Sequence, residues 1–536
     1  MITTLLQLVF VLLAFFLIYL LRSGATSLHG LPPGPRPLPI VGNIKDLPPQ
    51  GVPEFEHWLK FKDAYGPLIS MTVLGTTLVV IHSHEAAQEL LVKKSTKTAR
   101  RPDLYFADKM CGFGGLTPNL SYGITHRLHR KFMHQEMGSK TIVQKFYGIQ
   151  DEESRRFLLR VLNDPDNTIE HIKTEASAII LKITYGYSIE PHEADPLVGI
   201  IERMMDSFSR ALVPMAWPVD ILPWLRHLPS SFPGASFKQT ARDWREITRQ
   251  ATEIPYRFVQ EQMTDGNSRP SYVASLLEQY CSKDEEGWKL DGEGEEVIKN
   301  SAVIIYGGGA DTTVSTISSF VLAMVLYPEV QLRAQEEIDR VVGTDRMPTF
   351  EDRDHLPYIN ALIKETLRWL PVVPIGTTHV AEEEITYAGY RIPKGAYLLP
   401  AIWWFLHDPE IHPEPSIFDP ERFLEPRNEP DPANHAFGYG RRICPGRYLA
   451  DDNLFLTISR MLATFNIQKA IDEQGRTIEA KVGMTAGLIS HPIRFPYSIK
   501  PRSAKHVKLV RFTEVNYPWD KSDAVHLGGG ILVDGP

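Results

Sequence analysis

The stretch that decides the fold lies near the end of the chain and reads Phe437-Gly438-Tyr439-Gly440-Arg441-Arg442-Ile443-Cys444-Pro445-Gly446. Its glycines permit a tight turn in which backbone N–H groups point toward one atom, and Pro445 suits the first turn of a following helix. A helix N-terminus and free N–H groups favour the thiolate form of a cysteine. Cys444 is therefore a candidate axial ligand to an iron ion, although a lone cysteine is more commonly a buried structural residue.

The decapeptide matches F-x-x-G-x-R-x-C-x-G, the haem-binding signature of the cytochrome P-450 superfamily, and the resemblance extends over about residues 30–500. It implies a mainly α-helical cytochrome P-450 fold, in which one large helical domain carries small β-sheets. It also implies haem b as the cofactor. By the same resemblance Cys444 is the axial thiolate, Arg442 binds a haem propionate and Phe437 is a further haem-binding residue.

The overall composition excludes several other classes of protein. The chain has 536 residues, of which 43% are hydrophobic, so it can bury a large core. Its net charge of −8 gives no reason to expect a nucleic acid as a partner. The cysteines Cys111, Cys281 and Cys444 lie far apart in sequence. Neither a zinc cluster nor a disulfide framework is predicted, and a reducing compartment fits.

The N-terminal residues are the compositional outlier. From Ile2 to Leu21 the chain carries no charge, and about 20 helical residues span a hydrocarbon core of about 30 Å. We predict a transmembrane anchor over residues 1–22 with the catalytic domain on the cytosolic side, because basic residues follow it. This is the single-pass arrangement of family members in the endoplasmic reticulum membrane. The small residues Ser23-Gly24-Ala25 leave a cleaved signal peptide as the minority alternative.

The rest of the chain divides into three predicted parts. Prolines in Leu31-Pro32-Pro33-Gly34-Pro35-Arg36-Pro37 predict a stiff, extended hinge over residues 23–50. The haem-thiolate catalytic domain is predicted over residues 51–500, with a β-hairpin at residues 66–82. The polar tail over residues 501–536 is expected to be poorly ordered.

A long apolar helix is predicted over about residues 295–327, and an unusual stretch interrupts its middle. This stretch reads Gly307-Gly308-Gly309-Ala310-Asp311-Thr312-Thr313. Each glycine inside a helix costs roughly 1 kcal/mol relative to alanine, so glycines beside polar residues in an apolar helix indicate function. The stretch matches the family's oxygen-activation motif. The resemblance implies that Thr312 takes part in dioxygen activation, that Asp311 relays protons and that Gly308 lets the backbone approach the haem.

Further basic residues are predicted at the haem propionates. A helix near Thr125 continues as His126-Arg127-Leu128-His129-Arg130, where the family usually has W-x-x-x-R with both named residues on the propionates. Arg130 matches, and His126 replaces the tryptophan with another side chain that can donate a hydrogen bond. The resemblance also places His379 at a propionate. The alternative for the first cluster is a solvated basic face that docks an acidic redox partner.

A group of three charged residues is predicted to be structural. Glu365 and Arg368 are three positions apart and so share one face of a predicted helix. With Arg422, from the stretch Phe418-Asp419-Pro420-Glu421-Arg422-Phe423, they match the family's buried charged triad. Buried charges persist when they are mutually paired, so we expect this triad to fix the cysteine loop rather than to take part in the reaction.

The resemblance implies a haem-thiolate monooxygenase that uses dioxygen. The chain has no flavin or dinucleotide motif, so electrons are expected from NADPH through NADPH–cytochrome P-450 reductase, with cytochrome b5 as a second candidate donor. Within the family, the sequence most resembles fungal enzymes of secondary metabolism. The expected substrate is a small apolar natural product, in the first place a terpenoid such as a sesquiterpenoid.

Other functions remain as alternatives. A polyketide or an indole alkaloid is the alternative substrate class, and this choice rests on analogy with the family alone. A haem-binding isomerase, dehydratase or sensor without dioxygen activation is the alternative of another class. The presence of Asp311 and Thr312 argues against that alternative, because haem proteins that do not activate dioxygen do not need these two residues.

Overall fold

The computed structural model describes residues 30–280, 282–284, 287–289 and 292–527. The predicted membrane anchor over residues 1–22 lies outside the described residues, as do the start of the predicted hinge and residues 528–536. Within the described part of the chain, twelve helices have nine or more residues. They are α1 (Glu54–Tyr65), α2 (Ile124–Met137), α3 (Tyr147–Asn163), α4 (Thr168–Tyr185), α5 (Pro196–Ala211), α6 (Phe237–Thr264), α7 (Tyr272–Tyr280), α8 (Gly292–Leu326), α9 (Pro328–Val341), α10 (Pro357–Trp369), α11 (Arg447–Thr464) and α12 (Ala504–Asn516).

The strands form small sheets at the edges of this helical body, which confirms the predicted fold class. They are β1 (Leu68–Val73), β2 (Thr76–Ile81), β3 (Ser282–Asp284), β4 (Gly287–Lys289), β5 (His379–Val380), β6 (Ile385–Tyr387), β7 (Tyr390–Ile392), β8 (Tyr397–Pro400), β9 (Phe465–Gln468) and β10 (Ser498–Pro501). The largest sheet has the order β1-β2-β8-β5. Its β1–β2 pair is the predicted hairpin, with Ile69 opposite Val80, and β2 and β8 run parallel. The pairs β3–β4, β6–β7 and β9–β10 are antiparallel.

Helix α8 is the central element of the helical body. Among the described residues it is the one helix that is long and apolar enough to cross a membrane, but most of it is buried, as expected of a core helix. A Cβ atom at Gly307 would lie 2.5 Å from the sulfur of Met205 on α5, and one at Gly309 would lie 2.8 Å from Ile180 on α4. These two glycines therefore let neighbouring helices approach. A Cβ at Gly308 would meet nothing within 4 Å.

The described part of the proline-rich segment lies along β1. The backbone N–H of Ser70 donates to the carbonyl oxygen of Pro33 at 2.9 Å, and its hydroxyl donates to that of Pro32 at 2.5 Å. A Cβ atom at Gly34 would lie 1.9 Å from the carbonyl oxygen of Ser70, so only glycine permits this close approach. These bonds attach the described part of the segment to the sheet.

The tail beyond Pro501 differs from the poorly ordered segment that was expected. Helix α12 packs against α3 and buries His506, Val510 and Thr513. Farther on, the carboxylate of Asp523 accepts the backbone N–H of Ser188 at 2.7 Å and also pairs with the Arg269 guanidinium. The buried positions on α12 follow helical spacing, but the charged residues between them hide this pattern in the sequence.

Candidate active site

The predicted cysteine loop is a tight turn immediately before helix α11. Gly438 and Gly440 have φ of 75° and 52°, which lie in the left-handed region that favours glycine. A Cβ at Gly440 would also lie 2.5 Å from the carbonyl oxygen of Leu91. The N–H of Cys444 donates to the carbonyl oxygen of Phe437 at 2.8 Å and closes the loop. Helix α11 begins at Arg447, where the sequence predicts a helix, and Pro445 lies two residues before it.

The electrostatic environment of Cys444 combines opposing effects. Burial raises the pKa of the thiol, whereas the N–H groups of Gly446 and Arg447 and the positive charges of Arg130 and Arg447 lower it. The net direction is upward, so in the protein alone the loop does not favour the thiolate that the sequence predicted. The expected N–H groups are present, but the loss of hydration outweighs them.

Cys444 lies on the wall of an internal cavity of about 340 Å³. The cysteine loop and the start of α11 form one side of this cavity, and the middle of α8 forms another. Most of the predicted cofactor and catalytic residues line it, namely His126, Arg130, Gly308, Thr312, His379, Phe437, Arg442 and Cys444. Two stretches far apart in the sequence thus face one cavity.

Three arginines and two histidines gather at one edge of the cavity, and one of the arginines was not predicted. The predicted residues are His126, Arg130, His379 and Arg442, and the additional one is Arg101. The Arg101 guanidinium donates to the carbonyl oxygens of Pro118, Thr377 and Thr378. No local pattern distinguishes Arg101 in the sequence, because its place in the site depends on contacts with distant segments.

The three arginines of this edge form no close ion pair with a carboxylate among the described residues. Within the described ranges, no carboxylate forms an ion pair with Arg101, Arg130 or Arg442, and burial lowers the pKa of all three. The Nη1 atom of Arg442 and the Nδ1 atom of His126 are buried and have no hydrogen-bond partner. Burial and the nearby arginines lower the pKa of His126 to about 3. The edge is therefore suited to an anionic group that reaches buried donors.

His379 lines the cavity, and one of its ring nitrogens is hydrogen-bonded to the backbone. Its Nδ1 atom lies 2.9 Å from the carbonyl oxygen of Thr98, to which it must donate. Burial, followed by the charges of Arg101 and Arg442, lowers the pKa of the ring well below its usual value. A neutral ring that donates from Nδ1 has no proton on Nε2. His379 can therefore donate to a propionate only if an anion nearby restores the second proton.

The two predicted catalytic residues of α8 have different surroundings. Thr312 lines the cavity, and its hydroxyl donates to the carbonyl oxygen of Gly308 at 2.6 Å. Asp311 is not on the cavity wall. Its carboxylate lies 3.1 Å from Nε2 of His491, a residue to which the sequence assigned no role.

The predicted structural triad is fully buried and closely paired. Arg368 donates to the Glu365 carboxylate from Nε and Nη2 at 2.7 and 2.8 Å. Arg422 donates to the same carboxylate at 3.3 Å, and the backbone N–H of Asp419 donates to it at 2.8 Å. The remaining guanidinium N–H groups donate to backbone carbonyls, including that of Leu406 at 2.9 Å. The triad joins α10 to the segment that precedes the cysteine loop and does not line the cavity.

A family model described as Cytochrome P-450 matches residues 32–495 of the chain. The chain belongs to the cytochrome P-450 family. This P-450 is an oxidoreductase of the monooxygenase class, and its cofactor is a haem whose iron is ligated by a cysteine.

Fungal proteins are among the most similar relatives. "Cytochrome P-450 monooxygenase CLM2" of Gibberella zeae is 54% identical over 527 residues, which cover 98% of this chain and 99% of that protein. "Multifunctional cytochrome P-450 monooxygenase af510" of Aspergillus fumigatus is 49% identical over 94% of each chain. "O-methylsterigmatocystin oxidoreductase" of Aspergillus flavus is 39% identical over 93% of this chain and 92% of its own length.

The residues that line the cavity fit the family's cofactor. Haem combines a flat apolar ring, a metal ion and two carboxylates. The cavity offers a cysteine sulfur to the metal, the open space beside Gly308 to the ring, and a cationic edge with buried, unpartnered donors to the carboxylates. Each chemical part of the cofactor thus has a matching set of side chains.

The segment between α5 and α6 packs against residues 105–110 and is hydrogen-bonded to them. The Phe106 ring stacks on Trp217 with centroids 3.6 Å apart and meets the edge of Trp244 at 5.7 Å. The Asp220 carboxylate accepts the backbone N–H of Phe106 at 2.7 Å, and its second oxygen is buried without a partner. Burial raises the pKa of Asp220 to about 7, and the nearby Asp108 carboxylate adds to this shift.

Neutralising Asp220 should stabilise this P-450 increasingly as the pH rises. A pKa raised by folding means that the carboxyl contributes stability fully below its ordinary pKa of 3.8, and that this contribution is lost progressively as the pH rises from there through about 7. Asp220→Asn should therefore raise the thermal midpoint most at about pH 8, less at about pH 5 and least at about pH 4. Thermal unfolding across this range measures the difference. Asp243→Asn on the exposed face of α6 is the control, and an equal effect of Asp220→Asn at every pH would contradict the interpretation.

Proposed function

We propose that Cys444 supplies the thiolate that ligates the haem iron, and that Arg101, Arg130 and Arg442 bind the haem propionates. The observation that carries the proposal is the position of one cysteine beside buried cations that lack carboxylate partners in the described part of the chain. Binding of a metal ion deprotonates a ligating thiol, which overcomes the upward pKa shift that burial causes. His126 adds a donor at the same edge, and Phe437 packs beside the ring.

We further propose that the substrate is a small apolar natural product of fungal secondary metabolism, in the first place a terpenoid such as a sesquiterpenoid. Away from the cationic edge, the cavity is lined mainly by aliphatic side chains. They are Ile179, Ile180, Met205, Ile304, Ile305, Val372, Val373, Leu488 and Ile489, with Phe208 as an aromatic member. This lining stabilises a ligand by burial of its apolar surface rather than by ring stacking. It favours a saturated hydrocarbon skeleton over an indole or an aromatic polyketide.

The chain contributes proton transfer and exclusion of water. When bound, the haem supplies the redox chemistry that inserts one oxygen atom of dioxygen into the substrate. Thr312 lies on the cavity wall beside the open space at Gly308, where its hydroxyl can accept and donate a proton. Asp311 is the adjacent residue and is partly exposed, so it can take protons from solvent. The aliphatic lining keeps other water away from the reacting atoms.

Electrons are proposed to come from NADPH through NADPH–cytochrome P-450 reductase, with cytochrome b5 as a second donor. Exposed basic residues near the cysteine loop, among them Arg127, Lys131 and Arg441, give a partner with an acidic surface a place to dock.

The proposed location is the endoplasmic reticulum membrane, with residues 1–22 as anchor and the catalytic domain in the cytosol. The apolar, uncharged composition of residues 2–21 supports this.

The substrate proposal can be tested by a direct comparison of compound classes. Purified enzyme with its reductase and NADPH is incubated with sesquiterpenes, aromatic polyketides and indole alkaloids of similar size. The expected result is a product with one added oxygen atom from a sesquiterpene and little turnover of the other two classes, because the lining offers little ring stacking. Mass spectrometry of the products measures this. Preferential oxidation of an indole or an aromatic polyketide would contradict the proposed substrate class.

Replacement of Cys444 should abolish the haem-thiolate spectrum. Cys444→Ala removes the proposed sulfur ligand, so the reduced protein with carbon monoxide should lose the red-shifted Soret band. Cys111→Ala is the matched control, because Cys111 is buried in the core and does not line the cavity. The control should keep the band in full. An unchanged spectrum for Cys444→Ala would refute the assignment of the ligand.

Replacement of Thr312 should uncouple electron consumption from product formation. Thr312→Ala removes the hydroxyl from the cavity wall, so NADPH should still be consumed while the yield of product per NADPH falls several-fold and peroxide is released. Parallel assays of NADPH, product and peroxide measure this. Ser319→Ala is the control on the same helix, because Ser319 is fully buried and its hydroxyl bonds to the carbonyl oxygen of Ser315. Unaltered coupling in Thr312→Ala would assign Thr312 to packing alone.

A further inference from the structure

The carboxylate of Asp311 lies beside a residue from a distant part of the chain. Nε2 of His491 lies 3.1 Å from Oδ1 of Asp311, and the two side chains are 31% and 23% exposed. The pair therefore lies at the boundary between the interior of the protein and solvent. Thr312, the next residue of α8, faces the cavity. A proton that passes from solvent to Thr312 by way of Asp311 meets the His491 contact first.

The short loop that carries His491 has a closed and defined shape. The backbone N–H of Thr485 donates to the carbonyl oxygen of His491 at 2.8 Å. In return, the N–H of His491 donates to the Thr485 hydroxyl at 3.0 Å. Outside this pair, the N–H of Ile493 donates to the carbonyl oxygen of Gly483 at 2.9 Å. We call residues 483–493 the C-terminal hairpin.

The C-terminal hairpin is attached to α8 in the same place. The hydroxyl of Ser315 donates to the carbonyl oxygen of Ser490 at 2.7 Å, and this bond is buried. Ser315 lies one helical turn after Asp311, so the two residues share one face of α8. Ser490 and His491 are adjacent in the hairpin. Two successive hairpin residues thus contact two successive turns of the helix, which fixes the distance between His491 and Asp311.

The hairpin also contacts the part of the cavity proposed to receive substrate. Leu488 and Ile489 line the cavity. The N–H of Ile489 donates to the hydroxyl of Ser209 on α5 at 2.9 Å, and the N–H of Ser490 donates to the carbonyl oxygen of Val372 at 2.8 Å. The segment that touches the ligand is therefore continuous with the segment that holds Asp311, with a single residue between Ile489 and His491.

We propose that His491 is a positioning residue for Asp311, which orients the carboxylate between solvent and Thr312 through the contact of its Nε2 with Oδ1. This inference rests on the proposed role of Asp311 in proton transfer. The contact keeps the carboxylate from turning fully into solvent, and the attachment through Ser490 keeps the histidine in place. The hairpin links this arrangement to the cavity wall formed by Leu488 and Ile489.

The first test compares coupling in His491 variants of the holoenzyme with its reductase. His491→Ala removes the donor, and product per NADPH should fall several-fold while the carbon monoxide spectrum stays unchanged. His491→Gln keeps an N–H donor near the same position and should restore most of the coupling, which a purely structural loss would not predict. Arg494→Ala, an exposed change in the same region, is the control and should couple like the wild type. Normal coupling in His491→Ala would overturn the inference.

The second test detects the contact without measuring activity. Diethyl pyrocarbonate modifies unprotonated, accessible histidines, and peptide mass spectrometry reports the rate at each residue. Removal of the carboxylate in Asp311→Ala should increase the modification rate of His491 several-fold, because Nε2 loses its partner and becomes more accessible to the reagent. The rate at the exposed His134 should stay the same. An unchanged rate at His491 would overturn the inference.

The results also separate this inference from the proposed function. If Asp311→Ala couples normally, the proposed role of Asp311 fails and the inference fails with it. If Asp311→Ala uncouples the enzyme but His491→Ala does not, the proposed function stands and the positioning role of His491 is refuted. If both variants uncouple and His491→Gln restores coupling, both proposals are supported.

Discussion

A positive charge that is removed from water must be compensated, and this constraint separates two groups of buried arginines in the protein. Arg368 and Arg422 share the Glu365 carboxylate, and their remaining N–H groups bond to backbone carbonyls. Arg101 and Arg442 also bond to backbone carbonyls but form no ion pair with a carboxylate in the described ranges. The charges of the first group are paired with a carboxylate of the chain itself, and this pairing fixes the structure around them. The charges of the second group have no such partner in the described ranges, and we propose that the two carboxylates of the haem supply it.

The same comparison explains why Cys444 is suited to a metal rather than to reactivity by itself. Burial opposes the thiolate, and the helix N-terminus and nearby cations reduce this effect without reversing it. Burial thus disfavours the free thiolate, and a bound metal ion would supply the compensating charge. The loop geometry is compatible with the ligand role that we propose for Cys444, with a glycine where the backbone approaches Leu91 and with the Cys444 N–H already bonded to Phe437.

The sequence predicted the features that depend on local spacing and missed those that depend on contacts between distant segments. The β-hairpin at residues 66–82 and the long central helix follow from periodicity, and both are present. The cysteine loop and α8 were expected to face one site, and both line the cavity. Arg101 and His491 carry no local signal, because each gains its place from segments that lie far along the chain.

The protonation of His379 and the packing of the tail also depend on contacts between distant segments. The His379 ring was assigned to a propionate from its position in the sequence, but the hydrogen bond to Thr98 decides which nitrogen carries the proton. The tail was expected to be poorly ordered because it is polar, yet α12 buries three side chains at helical spacing and Asp523 pairs with Arg269. Polar composition predicts solvent contact for most side chains of a segment, but a few buried positions and one ion pair are enough to dock it.

The C-terminal hairpin restricts how substrate preference can change in this P-450. Leu488 and Ile489 contact the cavity, and the residues on either side hold α5, α8 and Asp311 by backbone hydrogen bonds and by His491. Replacing either apolar side chain changes the shape of the cavity while those bonds remain. Inserting or deleting a residue would instead move His491 away from Asp311 and Ser490 away from Ser315. The side chains of the hairpin can therefore vary with the substrate, whereas its length is restricted by its contacts with Ser315 and Asp311.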